Sequence, residues 1–190
     1  MSDSNLIAES AGAAGATARY SIGIDLGTTH CALSYVDRSA SDGDTVAQGV
    51  LDIPQLTGPA SVDAKPLLPS FLYLPHESEL TPADMALPWG AADGYVVGEF
   101  ARSRGAATPI RLVSSAKSWL CHPGVDRRAP LLPADAPAEV ARVSPLTASI
   151  RYLSHLRWAW DQAHPEAPFD AQDITVTIPA SFDPAARELT

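Results

Sequence analysis

Hydrophobic and polar positions alternate over residues 20–26, with Ile22, Ile24 and Leu26 on one side, and this predicts a strand. Gly27-Thr28-Thr29 reads as a turn, and residues 30–36 as a second strand. The pair predicts a hairpin whose tip is Asp25-Leu26-Gly27-Thr28-Thr29. Residues 37–46 are polar and loop-like, residues 46–56 predict a third strand ended by Pro54, and residues 59–69 are broken again. A short strand is expected at 70–74, between Pro69 and Pro75. Three prolines make 75–94 an exposed excursion, after which 95–98 form a short strand leading into a helix over 99–104.

Thr108-Pro109 has the form of a helix start, with Thr as N-cap and Pro at the first helical position. Leu112, Val113, Ala116 and Leu120 then fall on one helical face, with Lys117 near the end. Residues 121–143 hold four prolines and no period, so they read as a connection. Ser144-Pro145 repeats the start signal, and Leu146, Ile150, Leu153, Leu156 and Trp160 predict the buried stripe of a helix reaching about residue 163. The β-branched run 174–178 is a strand. Asp183-Pro184 caps a final helix that runs into Thr190, too short to hold alone, so the expectation is a chain that continues. Residues 1–19, rich in Ala, Gly and Ser, read as a flexible, disordered leader.

Composition narrows the function classes. Hydrophobic residues make up 46% of the 190 and charged residues 18%, ordinary globular values that can build a core. A net charge of −9 argues against broad contact with nucleic acid or an anionic membrane, while leaving room for a small phosphate ligand held by backbone N–H groups. The first residues lack a basic stretch and a sustained apolar stretch, so no secretory signal is read there. With only Cys31 and Cys121, a disulfide framework is not expected and a cytoplasmic setting fits best.

The chemistry concentrates at the hairpin tip. Gly27 lets backbone approach a ligand, and the N–H and hydroxyl groups of Thr28 and Thr29 can take phosphate oxygens. Asp25 repels phosphate unless Mg²⁺ sits between them, through water. The tip therefore reads either as a metal–phosphate corner or as a plain hairpin with Asp-x-Gly turn chemistry. By itself Lys117 is a solvated lysine near a helix end. His30-Cys31 and Cys121-His122 match no standard zinc spacing. Trp160 reads as core and Trp158 as flanking surface.

Four stretches in order carry a resemblance: Ile22-Gly-Ile-Asp-Leu-Gly-Thr-Thr29, Lys65-Pro-Leu-Leu-Pro-Ser-Phe-Leu-Tyr73, Val97-Gly-Glu-Phe-Ala101 with Ser115-Ala-Lys-Ser-Trp-Leu120, and Asp173 through Thr190. Together they resemble the N-terminal part of the nucleotide-binding domain of Hsp70 (DnaK-like) chaperones. The resemblance implies an α/β fold: one incomplete lobe of an actin-like ATPase (ribonuclease H-like), a mixed sheet with flanking helices. It implies a core of subdomain IA type over 20–69 and 143–190 and an insertion of subdomain IB type over 70–142, with the second lobe and the substrate-binding domain absent.

The implied ligands are ATP/ADP and Mg²⁺. By the same resemblance Asp25 stands near the Mg²⁺ shell, Gly27, Thr28 and Thr29 take phosphate, and Lys117 reaches the γ-phosphate and the attacking water. Pro179 corresponds to the family's proline switch and Arg187 to the arginine that relays nucleotide state. Unfolded clients and co-chaperones would be reached through the missing domains. His30, Cys121, Ser181, Asp183-Pro184 and a long 37–69 stretch depart from the family pattern and suggest a divergent bacterial-type branch. Two other readings stand beside it: a fragment of a sugar or carboxylate kinase from the same superfamily, and a non-catalytic binding module.

Overall fold

The computed structural model describes residues 18–42, 44–91, 94–122, 124–178 and 182–189. The alternation at the start builds the centre of the molecule. Strand β1 (Tyr20–Leu26) buries Tyr20, Ile22, Ile24 and Leu26 and is paired on both sides. Strand β2 (His30–Asp37) runs antiparallel to it, with Leu26 opposite Cys31 and Gly23 opposite Ser34. Strand β3 (Gln48–Val50) continues the meander antiparallel to β2.

The next stretch departs from the expected single strand over 46–56. Strand β4 (Ile53–Gly58) is separate and forms a hairpin with β5 (Ser61–Lys65), in a stretch expected to be irregular. Strand β6 (Leu68–Pro69) returns to pair with the start of β2. A second, three-stranded sheet follows, with β7 (Phe71–Tyr73) at its centre, and a small hairpin, β8 (Ala86–Leu87) with β9 (Gly90–Ala91), lies in the expected excursion. Strand β10 (Val96–Val97) pairs with β7 and leads into helix α1 (Glu99–Ala107). Gln55, fully buried, ties these parts together: its Nε2 donates to Leu67 O (2.9 Å), and its Oε1 accepts from Glu99 N (3.0 Å) at the start of α1.

The helix expected from Thr108 through Leu120 is instead three elements. A 3₁₀ turn spans Pro109–Arg111, strand β11 (Leu112–Ser114) pairs with β7, and helix α2 (Ala116–Leu120) follows. Ser115 has φ 55°, a left-handed conformation that breaks any continuous helix at that point. Val113, Ala116 and Leu120 are nonetheless buried as the pattern required.

Helix α3 (Pro145–Ala163) begins where the sequence placed it: Ser144 Oγ accepts from Thr147 N at 2.9 Å and Pro145 occupies the first turn. Its buried face differs from the expected stripe. Ile150 is 51% exposed, while Ala148, Tyr152, His155, Leu156, Ala159 and Trp160 face inward. Two of these are polar and are admitted because each finds an acceptor: Tyr152 Oη donates to Ser70 O (3.2 Å) and His155 Nε2 to Pro54 O (2.9 Å). Trp160 is fully buried with its Nε1 on Ala167 O (2.8 Å), and Trp158 is 37% exposed, as read from the sequence.

Strand β12 (Asp173–Thr177) pairs parallel with β1, so the five-stranded sheet is mixed, in order β12-β1-β2-β3 with β6 also on β2. Helix α4 (Pro184–Glu188) is capped by Asp183, whose Oδ1 accepts from Ala186 N at 2.7 Å. The chain is thus mixed α/β with flanking helices. One hydrophobic cluster joins β1, β2, β7, β11 and α3 through Ile24, Leu33, Leu72, Val113 and Leu156. Most of the expected leader lies outside the described residues; Arg19 is held by a 2.8 Å ion pair to Asp37. Among the described residues no helix is long and apolar enough to cross a membrane.

Candidate functional site

The hairpin tip joins β1 to β2. Asp25, one residue before the end of β1, is exposed, and its Oδ1 accepts from Thr177 Oγ1 at 3.0 Å, fixing the carboxylate against β12. Gly27 is demanded by space: a Cβ there would lie 2.2 Å from the backbone oxygen of His30. Thr28 and Thr29 are both exposed.

Behind the turn sits Ser70, between β6 and β7 and 2% exposed. Its N–H donates to Thr29 O (2.9 Å) and its Oγ–H to Gly27 O (2.8 Å). Cys31 Sγ lies 3.3 Å from the same Oγ. The only hydroxyl proton is engaged with Gly27, so the thiol is the donor in that contact. Burial pushes the Cys31 thiol up to about 11, which keeps it protonated and able to donate. The nearby Asp25 charge adds to the rise and the Lys117 charge opposes it.

Lys117 lies in the first turn of α2, with the residue 8% exposed and its Nζ 5.7 Å from the centre of the Phe182 ring. Among the described residues no hydrogen bond or ion pair reaches its ammonium. Buried cations are ordinarily paired. The stem of Lys117 is thus buried in the fold, with Phe182 beside its ammonium.

Phe182 is buried and precedes Asp183, which binds Arg127 through two contacts, Nη1–Oδ1 3.1 Å and Nη2–Oδ2 2.5 Å. The Arg127 guanidinium holds the Asp183 carboxyl below the usual carboxylate range, and the N–H of Ala186 adds to this. Arg187 is exposed on α4 and its Nε donates to Phe182 O at 3.0 Å. Pro179 lies outside the described residues. The remaining candidates are scattered in role: Cys121 Sγ contacts Lys117 O (3.7 Å), and His122 stacks on Trp119.

No family model matches the chain, and no curated protein matches it. What the geometry gives is chemical. Asp25 and Lys117 both bear on the Cys31 thiol behind the tip, and Phe182 lies between the Lys117 ammonium and Arg187, which donates to its carbonyl. Among the described residues no cluster of three or more His, Cys, Asp or Glu could cage a metal. Ser70, Tyr152, Phe182 and Arg127 were assigned no role from the sequence. The one signal for Ser70 was its place after Pro69 at a strand entry.

Proposed function

We propose that the chain is the phosphate-facing lobe of an Hsp70-like, actin-fold ATPase, which binds the phosphates of Mg·ATP and hydrolyses ATP when a second lobe completes the cleft. The observation that carries this reading is the open Gly-Thr-Thr turn with the Asp25 carboxylate beside it, together with Lys117, a buried ammonium with no hydrogen bond or ion pair among the described residues, both charges bearing on the Cys31 thiol behind the turn. The mixed sheet with β12 parallel to β1 supports it by being compatible with that fold.

In this reading Mg²⁺, when bound, neutralises phosphate charge. Asp25 would hold the hydrated ion, the turn and its hydroxyls would bind phosphate oxygens, and Lys117 would offset charge on the transferring group and orient water. The ligands are ATP and ADP. Clients and co-chaperones belong to other domains of the complete protein, which acts in the cytoplasm as an ATP-dependent chaperone.

A single lobe offers few contacts, so the 190-residue chain should bind Mg·ATP weakly, in the millimolar range, with negligible turnover. Titration of Mg·ATP into isotope-labelled protein should shift amides at residues 25–30 and around Lys117, and Lys117→Ala should weaken the response. A tight stoichiometric complex by calorimetry would overturn the half-site account. Unshifted amides at 25–30 under millimolar Mg·ATP would overturn the phosphate reading itself.

A further inference from the structure

Ser70 spends every polar group it has on the hairpin tip and its support. The N–H takes Thr29 O, the Oγ–H takes Gly27 O, the Oγ lone pair accepts the Cys31 thiol, and the carbonyl accepts Tyr152 Oη. Ser70 lies 43 residues from Gly27 in the chain, and Tyr152 another 82 beyond Ser70, so three distant segments converge on one turn.

The consequence for the turn follows from peptide planarity. In a trans peptide the C=O of one residue and the N–H of the next point in opposite directions. Neither the Gly27–Thr28 nor the Thr29–His30 peptide is cis. With the carbonyls of Gly27 and Thr29 drawn towards Ser70, the N–H groups of Thr28 and His30 are turned away from it. The sequence alone points to the amides of Thr28 and Thr29; the geometry orients those of Thr28 and His30.

We infer that Ser70 is the positioning residue of the phosphate turn: by holding the Gly27 and Thr29 carbonyls inward it presents the Thr28 and His30 amides outward to phosphate oxygens. The inference rests on the phosphate reading above. Ser70 itself touches no ligand, because its hydroxyl and amide face the turn's inner side. Preorganised donors bind an anion without first having to reorient, and removal of the hydroxyl leaves the Gly27 carbonyl free to turn.

The test uses the full chain and magnesium pyrophosphate as probe, followed through the amide resonances of Thr28 and His30. Ser70→Ala should weaken the dissociation constant about tenfold, the effect of one well-placed hydrogen bond, and should speed exchange of the turn amides. Tyr152→Phe is the structural control: it removes the bond to Ser70 O and lowers stability, yet leaves both turn carbonyls held, so affinity should stay within about twofold of wild type. Equal affinity of Ser70→Ala and wild type would overturn the assignment alone. So would an equal loss in Tyr152→Phe, which would make the effect one of stability. A wild-type chain that does not respond to pyrophosphate would overturn the phosphate reading, and the assignment with it.

Discussion

At the scale of single residues, Gly27 is the position with the least latitude. The Cβ of any other residue would meet the His30 backbone oxygen at 2.2 Å, which no rotamer change relieves. Gly27→Ala should therefore shift the turn and cost stability on the order of 2 kcal/mol, the range for strain at a constrained backbone site. Urea unfolding monitored through the tryptophans checks this; a midpoint unchanged from wild type would show that the turn relaxes freely. Gly98 is constrained for a different reason. Its φ is 89°, and a Cβ would press on Gln55 Oε1 and Leu68 Cδ1, both at 2.8 Å. The sequence marks Gly27 as a place for close backbone approach or a positive φ; its φ is not positive, and the close approach found is that of the His30 carbonyl in the same local turn. The need for Gly98 is not legible in the sequence, because Gln55 and Leu68 reach it from other strands.

At the scale of elements, α3 shows what periodicity resolves and what it leaves open. Its start and end match the expectation, since Ser144-Pro145 is a local signal. Its buried face does not, since Ile150 is exposed and His155 is 3% exposed. That histidine gives α3 a pH dependence. Burial lowers the His155 pKa from the ordinary 6.5 to about 4, while its bond to Pro54 O works in the other direction. As pH falls through 6.5 the unfolded chain takes up a proton that the folded chain refuses until about 4. Stability is thus at its plateau above 6.5, falls between 6.5 and 4, and levels below that, with a full extent of about 3 kcal/mol. His155→Gln, which retains a donor for Pro54 O, should flatten that limb of a urea-midpoint against pH curve; a slope equal to wild type would assign the limb to other groups. The same contrast explains the other elements. Strands β1, β2 and β12 were legible because one face is buried or they are β-branched. Strand β5 was not, because it is almost wholly exposed and is held by pairing with β4 rather than by burial. Strand β11 hid inside a helical pattern because its pairing with β7 and the left-handed Ser115 override local preference. In the proposed site, Asp25 and Gly27 to Thr29 are candidates by their order in the chain alone. The neighbours of Lys117 could not be found in that way, since Phe182 and the Cys31 thiol come from far along the sequence.

At the scale of the whole molecule, the proposed site draws on the first hairpin, α2 and the 182–189 segment, and the Arg127–Asp183 ion pair ties the last of these to the long connection. Arg127, in the long connection, has a side chain only 12% exposed, while Asp183 is 45% exposed, so the pair is a surface carboxylate held by a half-sunken guanidinium. The backbone of Arg127 also accepts from Leu146 N at 3.3 Å, which roots it at the start of α3. Loss of this pair removes one tie from α4, a helix of five residues that keeps the Asp183 cap, the Arg187 bond to Phe182 O and the burial of Phe182 and Ala186. Arg127→Met, which keeps the apolar stem, should therefore loosen residues 182–189 and uncover Lys117 without unfolding the core. The expected result is faster amide exchange confined to 182–189 and faster acetylation of Lys117, with the cooperative unfolding midpoint little changed. Acid should do the same to the wild type, but late. Asp183 has its pKa depressed below 3.8 by Arg127, so its contribution is fully present above that value and is lost only as pH falls through the lower, folded value. The segment should thus stay closed through the pH window in which His155 destabilises the core. If Lys117 reacts at the same rate in Arg127→Met as in wild type, then Phe182 is held over the lysine by its own burial and the ion pair contributes nothing to covering it.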